Sequence, residues 1–168
     1  MNNRYNTTEF TRGAMIAGLY ALLSLAFAPL SYGLVQIRFS EALTVMPRYS
    51  KSAVFGLFTG CLIANAAGMA FGLTMLPDVF VGSLATLAAA AMSYALRANR
   101  WLVPLPPVII NAVLVGWLLC SVYNVGAPLY ACMLYVGAGQ LVSCYALGIP
   151  LTYALDKIHL FDCNKSAS

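Results

Sequence analysis

An all-α integral membrane protein with six transmembrane helices, the second of them short, is the fold class this sequence predicts. Three observations carry that expectation. The chain is 168 residues long, 61% of them apolar or aromatic and only 8% charged, with a mean hydropathy of +0.81. A soluble domain carries about 25% charge, so this composition could not cover a surface in water. Long uncharged stretches recur along the whole chain, and its basic residues fall in the gaps between them. This composition excludes a cytoplasmic enzyme, a disordered segment and a nucleic-acid module. Nine basic residues against five acidic ones give a net charge of +4 but no dense patch.

Crossing about 30 Å of hydrocarbon takes about 20 apolar residues in a helix. The uncharged stretches predict crossings at about 13–30, 53–74, 79–97, 105–124 and 129–155. The last two share one uncharged run, divided at Gly126-Ala127-Pro128, because Gly and Pro punctuate helices. Between the first two lies SYGLVQIRFSEALTVMPRYSK, residues 31–51. Loop residues Ser31, Tyr32 and Gly33 open it, and Ser40 is the predicted N-cap of a short helix from Glu41 to about Tyr49. Such a helix could cross only if sheltered by protein.

Charge decides the sixth crossing. With six spans and an inside N-terminus, Arg4, Arg12, Arg48, Lys51, Arg97, Arg100, Lys157 and Lys165 lie inside and only Arg38 outside. With five spans the inner side collects seven and the outer side keeps Arg4 and Arg12. The positive-inside tendency prefers six. The expected organisation is one membrane domain over 1–168: a cytoplasmic tail 1–12, a bundle over 13–156 and a cytoplasmic tail 157–168. The polar start runs into apolar residues with no small-residue cleavage site, which predicts a retained first span.

The chemistry expected here is binding, with no catalytic residues, no metal and no cofactor. His159 is the single histidine, and the five cysteines show no C-x-x-C spacing and read as small apolar packing residues. No G-x-x-x-x-G-K-[ST] loop is present, so transport must draw energy from another protein or from an ion gradient.

Ionisable groups inside a membrane point to function. Arg38 and Glu41, three residues apart, are either an interfacial ion pair or part of a site whose carboxylate receives donors from a cationic or amidine-like ligand. Asp78, after Pro77, reads as an N-cap, a ligand contact or both. Asn65 and Gln140, each in mid-helix, read equally as interhelical bonding or ligand contact, and Asn111 as structural bonding. Trp117 and Tyr135 are candidates for stacking on a flat heterocycle, and Tyr123 for the interfacial aromatic belt. Gly13, Ala17, Ala21, Ser24 and Ala28 form a stripe of small residues, widened by Ala14 and Gly18, that either packs inside the protein or presents a docking face.

Several stretches resemble the QueT family, the queuosine-precursor group among substrate-binding S components of energy-coupling factor (ECF) transporters. They are Ala17-Gly-Leu-Tyr-Ala21, Leu25-Ala-Phe-Ala-Pro-Leu-Ser31, Gln36-Ile-Arg-Phe-Ser-Glu-Ala-Leu-Thr44, Gly56-Leu-Phe-Thr-Gly-Cys-Leu-Ile-Ala-Asn65, Asp78-Val-Phe-Val-Gly-Ser-Leu-Ala-Thr86, Pro104-Leu-Pro-Pro-Val-Ile-Ile-Asn111 and Cys144-Tyr-Ala-Leu-Gly-Ile-Pro150. The resemblance implies an S-component bundle in the cell membrane with both termini cytoplasmic. It implies a pocket for a 7-deazaguanine such as 7-aminomethyl-7-deazaguanine, built from Glu41, Arg38, Asn65, Asp78, Gln140, Gln36 and Trp117. It also implies docking through Ala17 and Ala21 on a membrane coupling protein, which works with two cytoplasmic ATPases. Gln140 stands where the resemblance leads one to expect a glutamate. The alternatives from other classes are a self-sufficient secondary transporter, an S component for another vitamin-like heterocycle, and a membrane-embedded enzyme, the last disfavoured by the missing catalytic pairs.

Overall fold

The computed structural model of the chain describes residues 7–32 and 36–158, and every regular element among them is helical. The predictions for the tails, including Arg4, His159 and Lys165, and for Gly33 fall outside the described residues. Helix α1 is Thr7–Ala26, followed by a single turn α2, Ala28–Ser31. A 3₁₀ helix, Phe39–Arg48, leads to α3, Ser52–Ala70. A π-turn at Asp78–Gly82 runs into α4, Ser83–Ala95, and α5 is Leu105–Ser121. The final helical run holds α6, Leu129–Leu141, a π segment Val142–Leu147, and α7, Gly148–Lys157. Three of these helical runs, Ser52–Ala70, Asp78–Ala95 and Leu129–Lys157, are long and apolar enough to cross a membrane, and Leu105–Ser121 is apolar but shorter.

Helix boundaries depart from the predicted spans for local reasons. The first helix is described from Thr7, ahead of the predicted start at 13, and its polar first turn is tied to the rest of the fold. There Glu9 accepts hydrogen bonds from Arg12 (3.1 Å) and from the Ser50 hydroxyl (2.8 Å). The third helix stops short of 74 where Gly72 takes a left-handed conformation (φ 73°) that favours glycine. Pro150 has no N–H to return to the preceding turn, and the π segment before α7 lies where that bond is missing.

The predicted short helix 41–49 is a ten-residue 3₁₀ helix beginning at Phe39. The N-cap is Arg38 and makes no side-chain capping bond. Ser40, the predicted cap, lies inside the helix and accepts a 2.7 Å hydrogen bond from the Ser24 hydroxyl. Pro47 supplies no N–H, and the Thr44 hydroxyl bonds back to the Glu41 carbonyl at 2.6 Å, both of which loosen an α-helical ladder. A 3₁₀ helix rises about 2.0 Å per residue against about 1.5 Å, so these residues reach farther than an α-helix would. The sequence requires shelter for this segment, and Ser40, Glu41, Leu43, Thr44, Val45, Met46 and Pro47 are all buried.

The tightest seam joins α1 to α3. A Cβ on Gly56 would lie 2.6 Å from the Gly13 carbonyl oxygen, and one on Gly60 would lie 2.8 Å from that of Ala17. The small stripe on α1 thus meets small residues one turn apart on α3, so the backbones touch. Ala17 and Ala21 are both buried there, which places them in an internal seam. Ala14 and Gly18 are on the exposed side of α1, and a Cβ at Gly18 would meet nothing within 4 Å.

Candidate functional site: a polar core with unpaired acceptors

The polar side chains divide by position in the bundle. At one end, the Arg48 guanidinium bonds the Arg97 carbonyl, Arg100 stands 3.8 Å from Asp156, and the Tyr49 hydroxyl donates to Asp156 at 2.7 Å. With the Glu9–Ser50 bond, these contacts gather residues that the charge argument groups on the inner side. At the other end, the Met75 N–H and the Tyr123 hydroxyl meet at 3.1 Å, joining the approach to the Asp78 π-turn to the end of α5.

Glu41 is completely buried within the bundle. The Tyr20 hydroxyl donates to its Oε1, while Oε2 is buried without a partner. Arg38, also buried, does not close an ion pair on it: the salt bridges among the described residues are Arg12–Glu9 and Arg100–Asp156. The Arg38 Nε instead donates to the Ser31 carbonyl at 3.1 Å, and its guanidinium lies 5.3 Å from the centroid of the Tyr32 ring. The anchoring ion pair, one of the two readings of this pair, is therefore not formed.

Asn65, from α3, donates through Nδ2 to the Asp78 carbonyl at 3.0 Å and to Cys61 Sγ at 3.4 Å, which fixes the amide's orientation. Its Oδ1 is then left buried with no donor. Gly82 makes this placement possible, since a Cβ there would lie 2.9 Å from Asn65 Nδ2. Asp78 ties down the start of its own helical run from within: its Oδ2 accepts the Met75 N–H at 2.9 Å and the Tyr123 hydroxyl. A carboxylate reaching back to the first free N–H is one half of a capping box.

Gln36 has left-handed backbone (φ 47°), which is uncommon outside glycine, and its Oε1 is buried with no donor. Together with Tyr32, Leu73, Asp78, Leu119, Tyr123 and Val125 it lines a cleft of about 250 Å³. Gln140 is farther along the network. It accepts from Asn111 Nδ2 at 3.3 Å and lies 3.5 Å from Cys144 Sγ, which in turn approaches the Glu41 carbonyl at 3.8 Å. The interhelical role read for Asn111 is thus formed, and Gln140 is its partner.

Buried contacts join Asn65 to Asp78 and Cys61, and Gln140 through Cys144 to the Glu41 carbonyl, while Arg38 lies against Tyr32 and Gln36 shares the cleft with Tyr32 and Asp78. Trp117 is 46% exposed and Tyr135 is also exposed, and neither lines the cleft. The aromatic side chain beside the acid is Tyr123, which hydrophobic position alone assigns to the interfacial belt. Sequence reasoning also missed Tyr20 and Tyr32. Tyr20 was findable: it is three residues after Ala17 and four before Ser24, on the same helical face.

The sequence matches the family described as QueT transporter over residues 10–157. The chain belongs to the QueT transporter family. It is also similar to the "Queuosine precursor transporter QueT" of Lactococcus lactis subsp. cremoris (strain MG1363), with 31% identity over 83 residues. That alignment takes in 48% of this chain and spans about half the length of the curated relative, 46%. No solved structure matches the chain. As a QueT family member with several membrane-capable helices, this is a membrane protein of a transporter family.

Proposed function

We propose that this chain is the substrate-binding membrane subunit for uptake of a queuosine precursor of the 7-deazaguanine type, driven by ATPases of a separate coupling module. The observation that carries the reading is three carbonyl or carboxylate acceptors, Glu41 Oε2, Asn65 Oδ1 and Gln36 Oε1, each buried with no donor, alongside the unpartnered Ser31 and Ser83 hydroxyls, in a QueT family chain. A buried acceptor without a donor costs about 1–3 kcal/mol, and more when charged. Three such atoms are best explained by a ligand that brings the donors. A 7-deazaguanine carries ring N–H groups and an exocyclic amine beside one carbonyl, a donor-rich edge that suits a carboxylate and two amide oxygens. Arg38 is the available donor for the carbonyl.

Six crossings with both termini cytoplasmic complete the proposal. The sheltered 3₁₀ helix supplies the sixth, and the basic residues gathered at one end favour that end as the inner one. Docking on the coupling protein is assigned to the open side of α1, at Ala14 and Gly18, because Ala17 and Ala21 are spent on the internal seam. The test is calorimetric titration of the purified protein with deazaguanines. Glu41→Gln keeps the shape and removes the charge, and losing a charged hydrogen bond of about 1.5–3 kcal/mol lowers affinity roughly tenfold or more. Unchanged affinity in a folded Glu41→Gln protein, or no binding of any deazaguanine by wild type, would overturn the reading.

A further inference from the structure

The turn between α5 and α6 brings two thiols together. Cys120 is in the last turn of α5 and Cys132 in the first turn of α6. Cys120 Sγ lies 3.6 Å from the Ala127 carbonyl oxygen, and Cys132 Sγ lies 3.9 Å from the same atom. The two thiols are also within hydrogen-bonding reach of each other. No C-x-x-C spacing marks them, because the turn and not the local sequence folds one onto the other. The backbones of the two helices touch close by: a Cβ on Gly116, one turn before Cys120, would lie 2.8 Å from the Met133 Cα. A disulfide needs facing Cα atoms within about 7 Å, and touching backbones favour that.

Exposure and position point the same way. Cys132 is buried in an apolar cluster with Val115, Leu119 and Val136, while Cys120 packs against that cluster and stays partly open. Cys61 and Cys144 differ: both are fully buried, and their sulfurs meet Asn65 and Thr86 in one case and Thr44 and Gln140 in the other. The Cys120–Cys132 pair lies at the Tyr123–Met75 end of the bundle, away from Arg48, Arg100 and Asp156. The proposed six-crossing topology places that end outside, where disulfides form and persist.

We propose that Cys120 and Cys132 are a disulfide site, a covalent staple that closes the α5–α6 turn by exchange with a low-molecular-weight disulfide. Cys120, the more open thiol, gives up its proton, and its thiolate attacks one sulfur of that disulfide and releases one thiol. Cys132 then gives up its proton, attacks the Cys120 sulfur of the mixed disulfide and releases the second thiol. The chain loses two hydrogens, with their two electrons, and the external disulfide is reduced to two thiols. The stapled turn carries Tyr123 and Val125 to the cleft, so the bond restrains the segment from which Tyr123 reaches Asp78.

The test is peptide mapping by mass spectrometry of the purified wild-type protein, incubated with oxidised glutathione and then denatured and alkylated with N-ethylmaleimide. The expected product is a linked pair of peptides holding Cys120 and Cys132, with Cys61 and Cys144 alkylated. Alkylation of both Cys120 and Cys132, or glutathione left on Cys120 with Cys132 alkylated, overturns the proposal. Reducing the linked protein is expected to lower its thermal midpoint by about 5 °C or more, because closing a loop of this length removes freedom from the unfolded chain. Cys120→Ser should show no such response to the reductant. Equal midpoints for the linked and reduced wild type overturn the staple, and this comparison needs no variant to fold. None of these readouts involves a ligand, so a failure here leaves the queuosine-precursor reading standing.

Discussion

The two ends of this bundle treat polar side chains in opposite ways. At the end holding Arg48, Arg97, Arg100 and Asp156, the charged and hydroxyl groups find partners within the chain. Around Glu41, Asn65 and Gln36, the acceptors are more deeply buried and yet left open. Burying polar groups without partners opposes stability, and the proposed ligand would bring the donors that these acceptors lack. Among buried polar residues in this membrane protein, the discriminating property is therefore whether the hydrogen-bonding capacity is used up.

The largest expected effect breaks the scaffold on which that contrast depends. Ala17→Trp drives a large ring into the seam where α1 meets Gly60, and overpacking there costs more than the ~1–3 kcal/mol of added methylenes. Size-exclusion chromatography in detergent should show little monodisperse protein. Gly18→Trp, on the open side of the same helix, should leave folding and ligand affinity intact while reducing cellular uptake and capture of the coupling protein. If Ala17→Trp folds and binds normally and Gly18→Trp transports normally, the assignment of the two faces is reversed.

A smaller effect sharpens the open end. Gly82→Ala places a methyl 2.9 Å from Asn65 Nδ2, pushing the amide out of register with the Asp78 carbonyl. A cost of about 1–3 kcal/mol is expected for the misfit. It should appear mainly as weaker ligand binding in calorimetry, with a smaller fall in thermal midpoint. An equal affinity would show that Asn65 has no part in recognition.

The smallest effect lies at the satisfied end. Glu9 is in the first turn of α1, ahead of the predicted crossing, and the hydrogen bond from Ser50 is the main reason its carboxyl stays below the usual range. Its folded pKa is lowered, so the stabilisation is complete above the ordinary carboxylate value of about 4.3 and is lost as pH falls through the lower folded value. Glu9 is substantially exposed, so the change is small. Thermal midpoints of wild type and Ser50→Ala should converge as the pH is lowered through this window. A constant difference between them would assign the Ser50 contribution to packing.

Helical class and the three helical runs long and apolar enough to cross a membrane were legible in the sequence because lipid imposes long apolar runs and leaves charge between them. Boundaries such as Ala70 were less so, since one left-handed glycine ended that helix earlier than hydropathy suggests. Of the candidate site, Glu41, Arg38, Asn65 and Asp78 were readable as costly polar residues in apolar surroundings, while Gln36 entered through the family resemblance alone. Their partners were not. Tyr123 reaches Asp78 across 45 positions of chain, and Tyr20 reaches Glu41 across 21, and no local pattern encodes such pairings. The stripe on α1 offered two faces, and only the glycines of α3 at matching heights decide which one turns inward.

Gln36 places two demands on one position. Its left-handed backbone costs an ordinary residue about 1–2 kcal/mol that glycine avoids, while its amide oxygen is one of the three open acceptors. Glycine there gives a sturdier protein and a poorer receptor; a β-branched residue gives neither. Asparagine alone tolerates the backbone while retaining an amide, at the expense of reach. A library randomised at this codon and sorted first for yield, then for ligand, should return different winners from the two sorts, a trade-off between durability and recognition confined to a single residue.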